Sequence, residues 1–558
     1  MLFANIKKLV RTEYLILTTI VLLAIFLRSY HFVPFLGFHL DQSRDAIIVG
    51  DFVRDGLSKI PLLGPHTSGS TLQLGPAYYY LQAVPAFFLG TRPEIFAMPD
   101  WLFSILFVPL LYYFLRLYFS KNISLALSAI TAVSLFLVIY GRFASNPNPL
   151  PFFTLLTLFG LLKADWKDTV RPGWFYAAIF SASIATQLHY VYFFMAPVLI
   201  LIYIIAWRPR LKIKNYIAGL LIVLAVYSPM IISEMENNAN NTKLLIKNTF
   251  ERGMSGESKH NVVDKSFYAF QKLEIISWQM ITSDEHGSSV ALSKKFLPVC
   301  DRQCRQDLPF LFLQTLLFVF GLWSSFYFFR RERDRDRKKY IFSAWLWLGS
   351  MFAISIPIIY NMSPRYYLPA VAPLLVFLGM TLKKIECFAG KHGKIVIILL
   401  SVAVMLFNLR SDSIYFKEHT AMAKGEVENT VGREFFNDKK ITLEQLENTV
   451  EYIKKHRRSD DMVRIAADNS FARAIFYLLR YQENIPACYV KTSAFHPSGK
   501  LDYFLVYRLS VNQKMPKDLE EQFFIRDQKK TGNLLVIDAE AKNPGGQPGE
   551  DETCNASL

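Results

Sequence analysis

Long runs of apolar residues recur over the first 410 residues, and charged residues are gathered in the short stretches between them. Most runs approach the roughly 20 residues that a helix needs to cross about 30 Å of hydrocarbon, where backbone polar groups must be bonded within the helix. The pattern predicts a mainly α-helical, polytopic membrane domain over residues 1–410, with about eleven spans. They are predicted at residues 14–27, 95–115, 125–140, 150–162, 174–188, 191–207, 216–232, 309–329, 341–360, 368–382 and 395–409.

Lysine and arginine residues predict how these spans are oriented. Lys7, Lys8 and Arg11 precede the first span, and residues 330–339 hold seven basic residues. Because basic loops stay in the cytoplasm, we expect a cytoplasmic N-terminus and a multi-pass protein of the inner (plasma) membrane. The first outer loop is then residues 29–94, a long outer loop covers residues 233–308, and everything after residue 410 is extracytoplasmic. Residues 77–89 are too short to span comfortably and contain Pro85, so they predict an interfacial helix.

Composition agrees with a membrane protein. Apolar residues make up 52% of the chain and charged residues 19%, against about 25% charged residues in soluble domains. The net charge of +16 is explained by basic loops that set orientation, so membrane lipids rather than nucleic acid are the expected partners.

The chain changes character after residue 410. Strand-length apolar runs at residues 462–467, 503–507 and 534–537 alternate with a helical pattern at 471–479, which predicts a small extracytoplasmic α/β domain over residues 411–542. Residues 543–558 are rich in glycine, proline and acidic residues and are expected to be disordered. Cys300 and Cys304 lie in the long outer loop, and the sequence leaves open whether they are bridged or free.

Polar residues collect at the outer ends of the spans, whereas the span interiors contain almost no ionisable residue. This disfavours an ion-coupled transporter with a site near the midplane and favours one outer-face site built from several loops. The residues concerned are Asp41, Gln42, Arg44, Asp45, Arg142, Asn146, Asn148, Gln187, His189, Glu234, Arg365 and Tyr366, together with the aromatic run Tyr78, Tyr79 and Tyr80.

Several of these motifs resemble those of one family. Asp41-Gln42-Ser43-Arg44-Asp45-Ala46, Gly75-Pro76-Ala77-Tyr78-Tyr79-Tyr80, Gln187-Leu188-His189-Tyr190 and Arg365-Tyr366-Tyr367-Leu368-Pro369 are similar to motifs of the GT-C membrane glycosyltransferases. Within that superfamily, the chain most resembles the protein O-mannosyltransferase and lipid A aminoarabinose transferase group, over about residues 8–409.

The resemblance implies a GT-C bundle with interfacial helices in the first outer loop. It also implies inverting transfer of a sugar from a polyprenyl-phosphate carrier to a hydroxyl of a lipid, glycan or protein, on the extracytoplasmic face. Asp41 is the implied general base, and fixed cationic or donor groups are needed at the leaving phosphate. Candidates for phosphate binding are Arg365, Arg142 and His189. Candidates for substrate binding are Gln42, Arg44, Asp45, Tyr78, Tyr79, Tyr80, Asn146, Asn148, Gln187, Glu234 and Tyr366.

The chain departs from this pattern in two places. It has Leu74-Gly75-Pro76 where aminoarabinose transferases have Glu-Lys-Pro, and Asn146-Pro147-Asn148 where many relatives have an acidic loop. No cofactor is therefore certain, although Asp41 and Asp45 could hold a divalent cation through hard oxygen ligands.

Other interpretations stay open for single residues and for the whole protein. Asp41 could cap a helix, the three tyrosines could form an aromatic belt, and Arg142 could extend its charge to the membrane surface. The rival functions are a non-catalytic protein that binds or translocates polyprenyl-linked sugars, and an oligosaccharide ligase or polymerase with a diphosphate-linked donor.

Overall fold

The computed structural model describes most of the membrane domain and the larger part of the C-terminal domain. The described residues are 2–66, 72–254, 261–283, 291–292, 298–299, 304–359, 362–426, 441–457, 462–468, 470–491, 502–508 and 523–542. Cys300 and the predicted disordered tail at 543–558 lie outside them.

Helices dominate the chain up to residue 423, as the apolar runs predict. In chain order they are α1 Leu2–Ser29, α2 Leu40–Asp55, α3 Ala77–Leu89, α4 Pro93–Phe96, α5 Met98–Leu115, α6 Lys121–Val133, α7 Leu135–Tyr140, α8 Leu150–Ala164, α9 Pro172–Leu188, α10 Tyr190–Trp207, α11 Ile213–Glu236, α12 Asn240–Met254, α13 Val262–Thr282, α14 Cys304–Arg331, α15 Arg335–Ile358, α16 Val371–Phe388 and α17 Gly393–Ala423. A 3-10 helix, Pro364–Ala370, leads directly into α16. Two short hairpins, β1 Asp165–Trp166 with β2 Thr169–Val170 and β3 Ala291–Leu292 with β4 Pro298–Val299, join helices.

All eleven predicted spans fall on helices. Eight helical stretches among the described residues are long and apolar enough to cross a membrane, and Lys121–Val133 and Leu150–Ala164 are shorter apolar helices. The fold class is therefore confirmed as a mainly α-helical, polytopic bundle with a small C-terminal sheet domain. The count of eleven spans stays a prediction.

One predicted span, residues 125–140, is broken in the middle. Ser134 is extended, with φ −62° and ψ 113°, so α6 ends at Val133 and α7 begins at Leu135. The break leaves polar groups without helical partners, and α13 supplies them. The Ser134 hydroxyl donates to the carbonyl of Met280 at 2.7 Å, and the Leu135 amide donates to Ser283 Oγ at 2.9 Å.

Residues 233–308, predicted as a long outer loop, contain two helices. The second of them, α13, buries one side among α14, α15 and α17. Polar contacts fix it: Thr315 of α14 donates to Glu274 at 2.7 Å, and Asn408 of α17 donates to the carbonyl of Ile281 at 2.8 Å. This segment is therefore in part a packed element of the bundle.

The C-terminal domain contains a five-stranded mixed sheet with two helices. The elements are α18 Leu443–His456, β5 Val463–Ala467, α19 Ala472–Tyr477, β6 Ala487–Lys491, β7 Asp502–Arg508, β8 Phe523–Thr531 and β9 Leu534–Ala541. The strand order is β6-β5-β7-β9-β8, with β5 parallel to β6 and β7 and the remaining pairs antiparallel. The three predicted strands match β5, β7 and β9. The polar strand β8 was not predicted, because it lies at an edge and exposes most of its side chains.

The sheet domain is attached to the loop that carries α2. Gly37 pairs with Thr442 in an isolated β-bridge, and the Leu443 amide donates to the carbonyl of Leu36 at 2.8 Å. The Tyr477 hydroxyl donates to the backbone carbonyl of Thr91 at 2.5 Å. These bonds hold the domain directly against α2.

Candidate active site

The start of helix α2 lies beside the loop that follows α7. His39 occupies the N-cap position, and its amide donates to Gln42 Oε1 at 3.1 Å. The amide nitrogen of the Gln42 side chain donates in turn to the carbonyl of Ala144 at 2.9 Å. Gln42 therefore fixes the start of α2 to the loop that follows α7. Since His39 is the N-cap, Asp41 is left within the first helical turn and does not cap the helix.

Asp41 is the accessible member of a small charged cluster. Its side chain is 61% exposed, and Arg44 Nη1 donates to Asp41 Oδ1 at 3.2 Å. The same guanidinium donates to Asp45 Oδ1 from Nε at 2.9 Å and from Nη2 at 2.8 Å. One arginine therefore bridges an exposed carboxylate and a buried one.

Burial controls the titration of the inner part of this cluster. Burial raises the pKa of Asp45 to about 6, although the charge of Arg44 pulls it down. Burial acts to lower the pKa of Arg44, but the adjacent Asp45 and Asp41 carboxylates outweigh it and raise that pKa. The guanidinium therefore stays charged while Asp45 can change its protonation near pH 6.

The three tyrosines predicted to line the substrate path bond to other parts of the protein. Tyr79 donates to Asp45 Oδ1 at 3.2 Å, Tyr78 donates to Asp100 Oδ2 at 3.0 Å, and Tyr80 donates to the carbonyl of Pro61 at 2.7 Å. Tyr78 and Tyr79 are buried, which raises the pKa of each hydroxyl well above its ordinary value. They join α3 to α2 and α5 and are not an exposed aromatic belt.

Asp100 is a buried polar residue that the sequence analysis missed. It lies in the first turn of α5, and its carboxylate accepts from Tyr78 and from the amide of Ser145 at 3.4 Å. Asn148 also bonds to it and donates to the carbonyl of Phe143 at 2.7 Å. The signal that could have identified it is an acidic side chain close to the start of an apolar span. Asp100 thus places a carboxylate beside the loop at residues 146–148. This loop has asparagine where many members of the family that the sequence resembles have an acidic residue.

Arg142 does not face a substrate space. The residue is 4% exposed, and its guanidinium donates to four backbone carbonyls where α1 ends: Leu27 at 2.9 Å, Arg28 at 2.9 Å, Tyr30 at 2.6 Å and His31 at 3.2 Å. The carbonyls of Leu27 and Arg28 lie in the last turn of α1, where the helix no longer supplies backbone donors, and the His31 carbonyl also accepts from the Phe35 amide at 3.2 Å. Arg142 therefore caps the end of α1. Its guanidinium contacts backbone carbonyls where a phosphate was expected, and because the residue is buried it does not extend its charge to the membrane surface.

A second cluster of polar residues, His189, Tyr366 and Arg365, lies where α9 ends and α10 begins. His189 caps α10, its Nδ1 accepting from the Val191 amide at 3.2 Å. Its ring centre is 4.6 Å from that of Tyr366, and the Arg365 guanidinium carbon lies 5.7 Å from the Tyr366 ring centre. Burial first, and then the charge of Arg365, lower the pKa of His189 to about 3. The imidazole is therefore neutral at physiological pH, and since Nδ1 accepts, Nε2 carries the hydrogen.

Arg365 differs from the other arginines of the site. Among the residues that the structure describes, it has no hydrogen bond to a side chain or backbone and no ion pair, and its guanidinium lies over the Tyr366 ring. It is half-buried at the start of the 3-10 helix that precedes α16. A cation held in this way is available to an anionic ligand.

The remaining predicted residues connect loops. Gln187 accepts from the Ala77 amide at 3.2 Å and donates to the carbonyl of Val226 at 3.1 Å. Asn146 donates to the carbonyl of Leu188 at 2.6 Å, and Glu234 accepts from the Thr242 amide at 3.1 Å. A cleft beside them is lined by residues of the loop before α3 and of α9 to α12, among them Gly75, Gln187, Tyr190, Tyr227 and Asn241.

A divalent cation at Asp41 and Asp45 stays a prediction. Within the described ranges, no three histidine, cysteine or acidic side chains converge as metal ligands. The two carboxylates share the Arg44 guanidinium, which supplies between them the positive charge that a metal ion would bring.

A helical bundle that carries a small sheet domain at its C-terminal end is also found among known structures of membrane proteins. Two structures of ArnT from Cupriavidus metallidurans share its fold. The one bound to undecaprenyl phosphate superposes with a TM-score of 0.54 at 12% identity, covering 96% of this chain and 99% of that one. The apo structure gives a TM-score of 0.53 at 12% identity, covering 95% and 98%.

Sequence comparison agrees with the fold. The family model for dolichyl-phosphate-mannose-protein mannosyltransferases matches residues 74–232. No curated protein matches the chain. The expected resemblance to the protein mannosyltransferase and aminoarabinose transferase group is therefore confirmed, by the family model over residues 74–232 and by the shared fold.

Proposed function

We propose that the protein transfers a sugar, with inversion, from a polyprenyl-phosphate carrier to a hydroxyl acceptor on the extracytoplasmic face. The observation that carries this proposal is the exposed carboxylate of Asp41, held at the start of α2 by Arg44. A general base must be reachable by the attacking hydroxyl, and its neighbours must keep it oriented. Asp45 does not meet the first condition because its side chain is only 6% exposed.

The reaction assigns one role to each group. The acceptor hydroxyl gives its proton to Asp41, and its oxygen forms a bond to the anomeric carbon of the sugar. The bond between that carbon and the phosphate oxygen breaks, and the bonding electrons leave with the polyprenyl phosphate. Arg44 and Asp45 act as positioning residues, since they contact Asp41 directly or through the shared guanidinium.

Arg365 and His189 are the proposed ligands of the leaving phosphate. Arg365 offers a guanidinium without an ion-pair partner among the described residues, and neutral His189 offers an Nε2–H donor. Donors fixed in a partly dry site stabilise the negative charge that develops on the phosphate. Tyr366 packs between them and would form a wall of the same subsite. Arg142 is left out because its donors are taken by backbone carbonyls.

Sidedness also belongs to the proposal. The sheet domain follows the last predicted span, and the arrangement of basic loops predicts that this part of the chain is extracytoplasmic. That domain is attached to the loop that carries Asp41. Both are therefore proposed to lie on the extracytoplasmic side of the inner membrane. The basic run at residues 330–339 joins the end of α14 to the start of α15, and the positive-inside rule assigns such a run to the cytoplasmic side.

The test is sugar release or transfer by the purified protein from a panel of radiolabelled polyprenyl-phosphate sugars. Asp41→Asn should lower the transfer rate by roughly 10²–10⁴-fold without changing the unfolding temperature, because the side chain is mostly exposed. Asp55→Asn is the matched control, since Asp55 ends the same helix and pairs with Arg54 at 2.8 Å. Donor binding without turnover in the wild type would favour the non-catalytic interpretation. Full activity of Asp41→Asn would refute Asp41 as the base.

A further inference from the structure

An unusual group of cations lies where α14 and α16 end, at the other end of α16 from Arg365. Lys384 Nζ is 3.6 Å from the ring centre of Tyr327 and 5.2 Å from that of Trp323. The Arg331 guanidinium carbon is 4.4 Å from the same Tyr327 ring centre. Arg330 lies over Phe326 in the same way, at 5.2 Å. Three cations from two helices are thus held on adjacent aromatic rings.

These cations lack acidic partners. Among the described residues, none of Lys384, Arg331 and Arg330 forms an ion pair, and the nearby Glu332 is paired with Arg337 at 3.1 Å. Lys384 and Arg331 both lie within about 5 Å of the Tyr327 ring centre, and each is a cation that a phosphate group can bind. Two cations on one ring repel each other, and an anion bound beside them would offset that repulsion.

The surroundings indicate which anion would bind. Trp323 is 49% exposed and Phe326 is 50% exposed, and both lie on α14, one of the helices apolar enough to span a membrane. Exposed aromatic rings on a spanning helix contact lipid, and tryptophan favours the headgroup level. The site is therefore open to acyl chains from the side and presents its cations at the depth of headgroups.

We infer that the surface formed by the ends of α14 and α16 binds the headgroup phosphate of an anionic glycerophospholipid. Lys384 and Arg331 contact the phosphate, Arg330 adds a third charge, and the rings of Trp323 and Tyr327 pack against the glycerol and upper acyl chains. Lysine on an aromatic face keeps its hydrogen bond donors directed away from the ring, so it can bind both the ring and the phosphate. The site is distinct from the proposed sugar-transfer site, and basic pockets between spanning helices are known to take such headgroups.

The experiment is native mass spectrometry of the full chain in detergent, titrated with phosphatidylglycerol or phosphatidylcholine. The wild type should retain phosphatidylglycerol in preference to phosphatidylcholine. The double variant Lys384→Gln with Arg331→Gln should lose retention by roughly 30-fold, since each basic residue near an anionic headgroup contributes about a fivefold effect. Lys391→Gln, which removes an exposed charge in the loop after α16, should retain the lipid like the wild type.

Further arms keep the result interpretable if the double variant folds poorly. Lys384→Arg keeps the charge and should keep the preference for phosphatidylglycerol; its loss would overturn a site based on charge. Equal retention of both lipids by the wild type, or an equal loss in Lys391→Gln, would overturn the proposal. Release of bound phosphatidylglycerol by millimolar inorganic phosphate would show a free-phosphate site and refute the lipid as the ligand.

Discussion

Replacing Asp45 by asparagine tests how the proposed site is held together. The Asp45 carboxylate is buried, receives two hydrogen bonds from Arg44 and one from Tyr79, and shares that arginine with Asp41. Burial raises its pKa from 3.8 to about 6. The folded protein therefore binds this proton more tightly than the unfolded chain does, and the contribution to stability is fully present below pH 3.8 and is lost as the pH rises through 6.

The size of the effect follows from the shift. At 1.36 kcal/mol per pKa unit, the shift corresponds to about 3 kcal/mol, of which roughly half is lost between about pH 5 and pH 8. Asparagine cannot titrate. As the pH rises from about 5 to about 8, the free energy of unfolding of Asp45→Asn should therefore increase relative to that of the wild type by about 1.5 kcal/mol. Denaturant unfolding in detergent at the two pH values measures this difference.

The same titration should appear in the transfer rate. When Asp45 is protonated, Arg44 loses its buried charge partner and its attraction is directed to Asp41, which becomes a weaker base. Transfer by the wild type should fall below about pH 6. In Asp45→Asn the rate should be low and lack this fall, whereas Asp55→Asn should keep the wild-type profile. An infrared band of a protonated carboxyl that titrates near pH 6 in the wild type and disappears in Asp45→Asn would identify the group. A rate that still falls near pH 6 in Asp45→Asn would refute the assignment.

Three further changes test the frame around the site. Arg142→Met should lower the free energy of unfolding by about 3–5 kcal/mol, because it leaves buried carbonyls of α1 without donors; an unchanged unfolding temperature in detergent would contradict this role. Gly75→Ala would place Cβ 2.3 Å from Gln187 Oε1, so we expect a loss of stability of about 1–3 kcal/mol and slower transfer, whereas Gly173→Ala, whose Cβ meets nothing within 4 Å, should behave like the wild type in both assays. Tyr477→Phe removes the hydrogen bond to Thr91 and should cost about 1 kcal/mol; faster proteolytic release of the C-terminal domain would show it, and unchanged cleavage would argue against that contact.

Hydrophobic patterning predicted the helices well because the length of an apolar run is a local property of the chain. It could not predict the break at Ser134, since the break depends on α13 supplying a carbonyl and a hydroxyl from residues about 150 positions away. It also treated α13 as part of a loop. That helix alternates apolar and polar residues and gains its place in the bundle from contacts with three other helices.

The candidate site was predictable as a set of residue types but not as a set of roles. Asp41 and Arg365 keep accessible or unpartnered charges among the described residues, as a base and a phosphate ligand require. In the sequence, Arg142 is as good a candidate for binding phosphate as Arg365, and Tyr78 is a candidate for binding substrate. In the structure, both side chains bond to buried groups of the protein instead. Whether a polar side chain bonds to the protein or to a ligand depends on which carbonyls and carboxylates are left without partners nearby, and that follows only from the packing.

The burial of polar side chains therefore explains how the proposed site is held in place. Polar groups that are buried, such as Asp45, Asp100 and Gln187, hold α2, α3 and the loops in fixed positions by bonding to one another. The C-terminal domain adds to this frame, because Arg473 of α19 donates to the carbonyl of Leu40 at 3.4 Å, one residue before Asp41. A base on such a frame needs little reorganisation when the acceptor arrives. Loosening any part of the frame should then slow transfer while leaving donor binding at Arg365 intact.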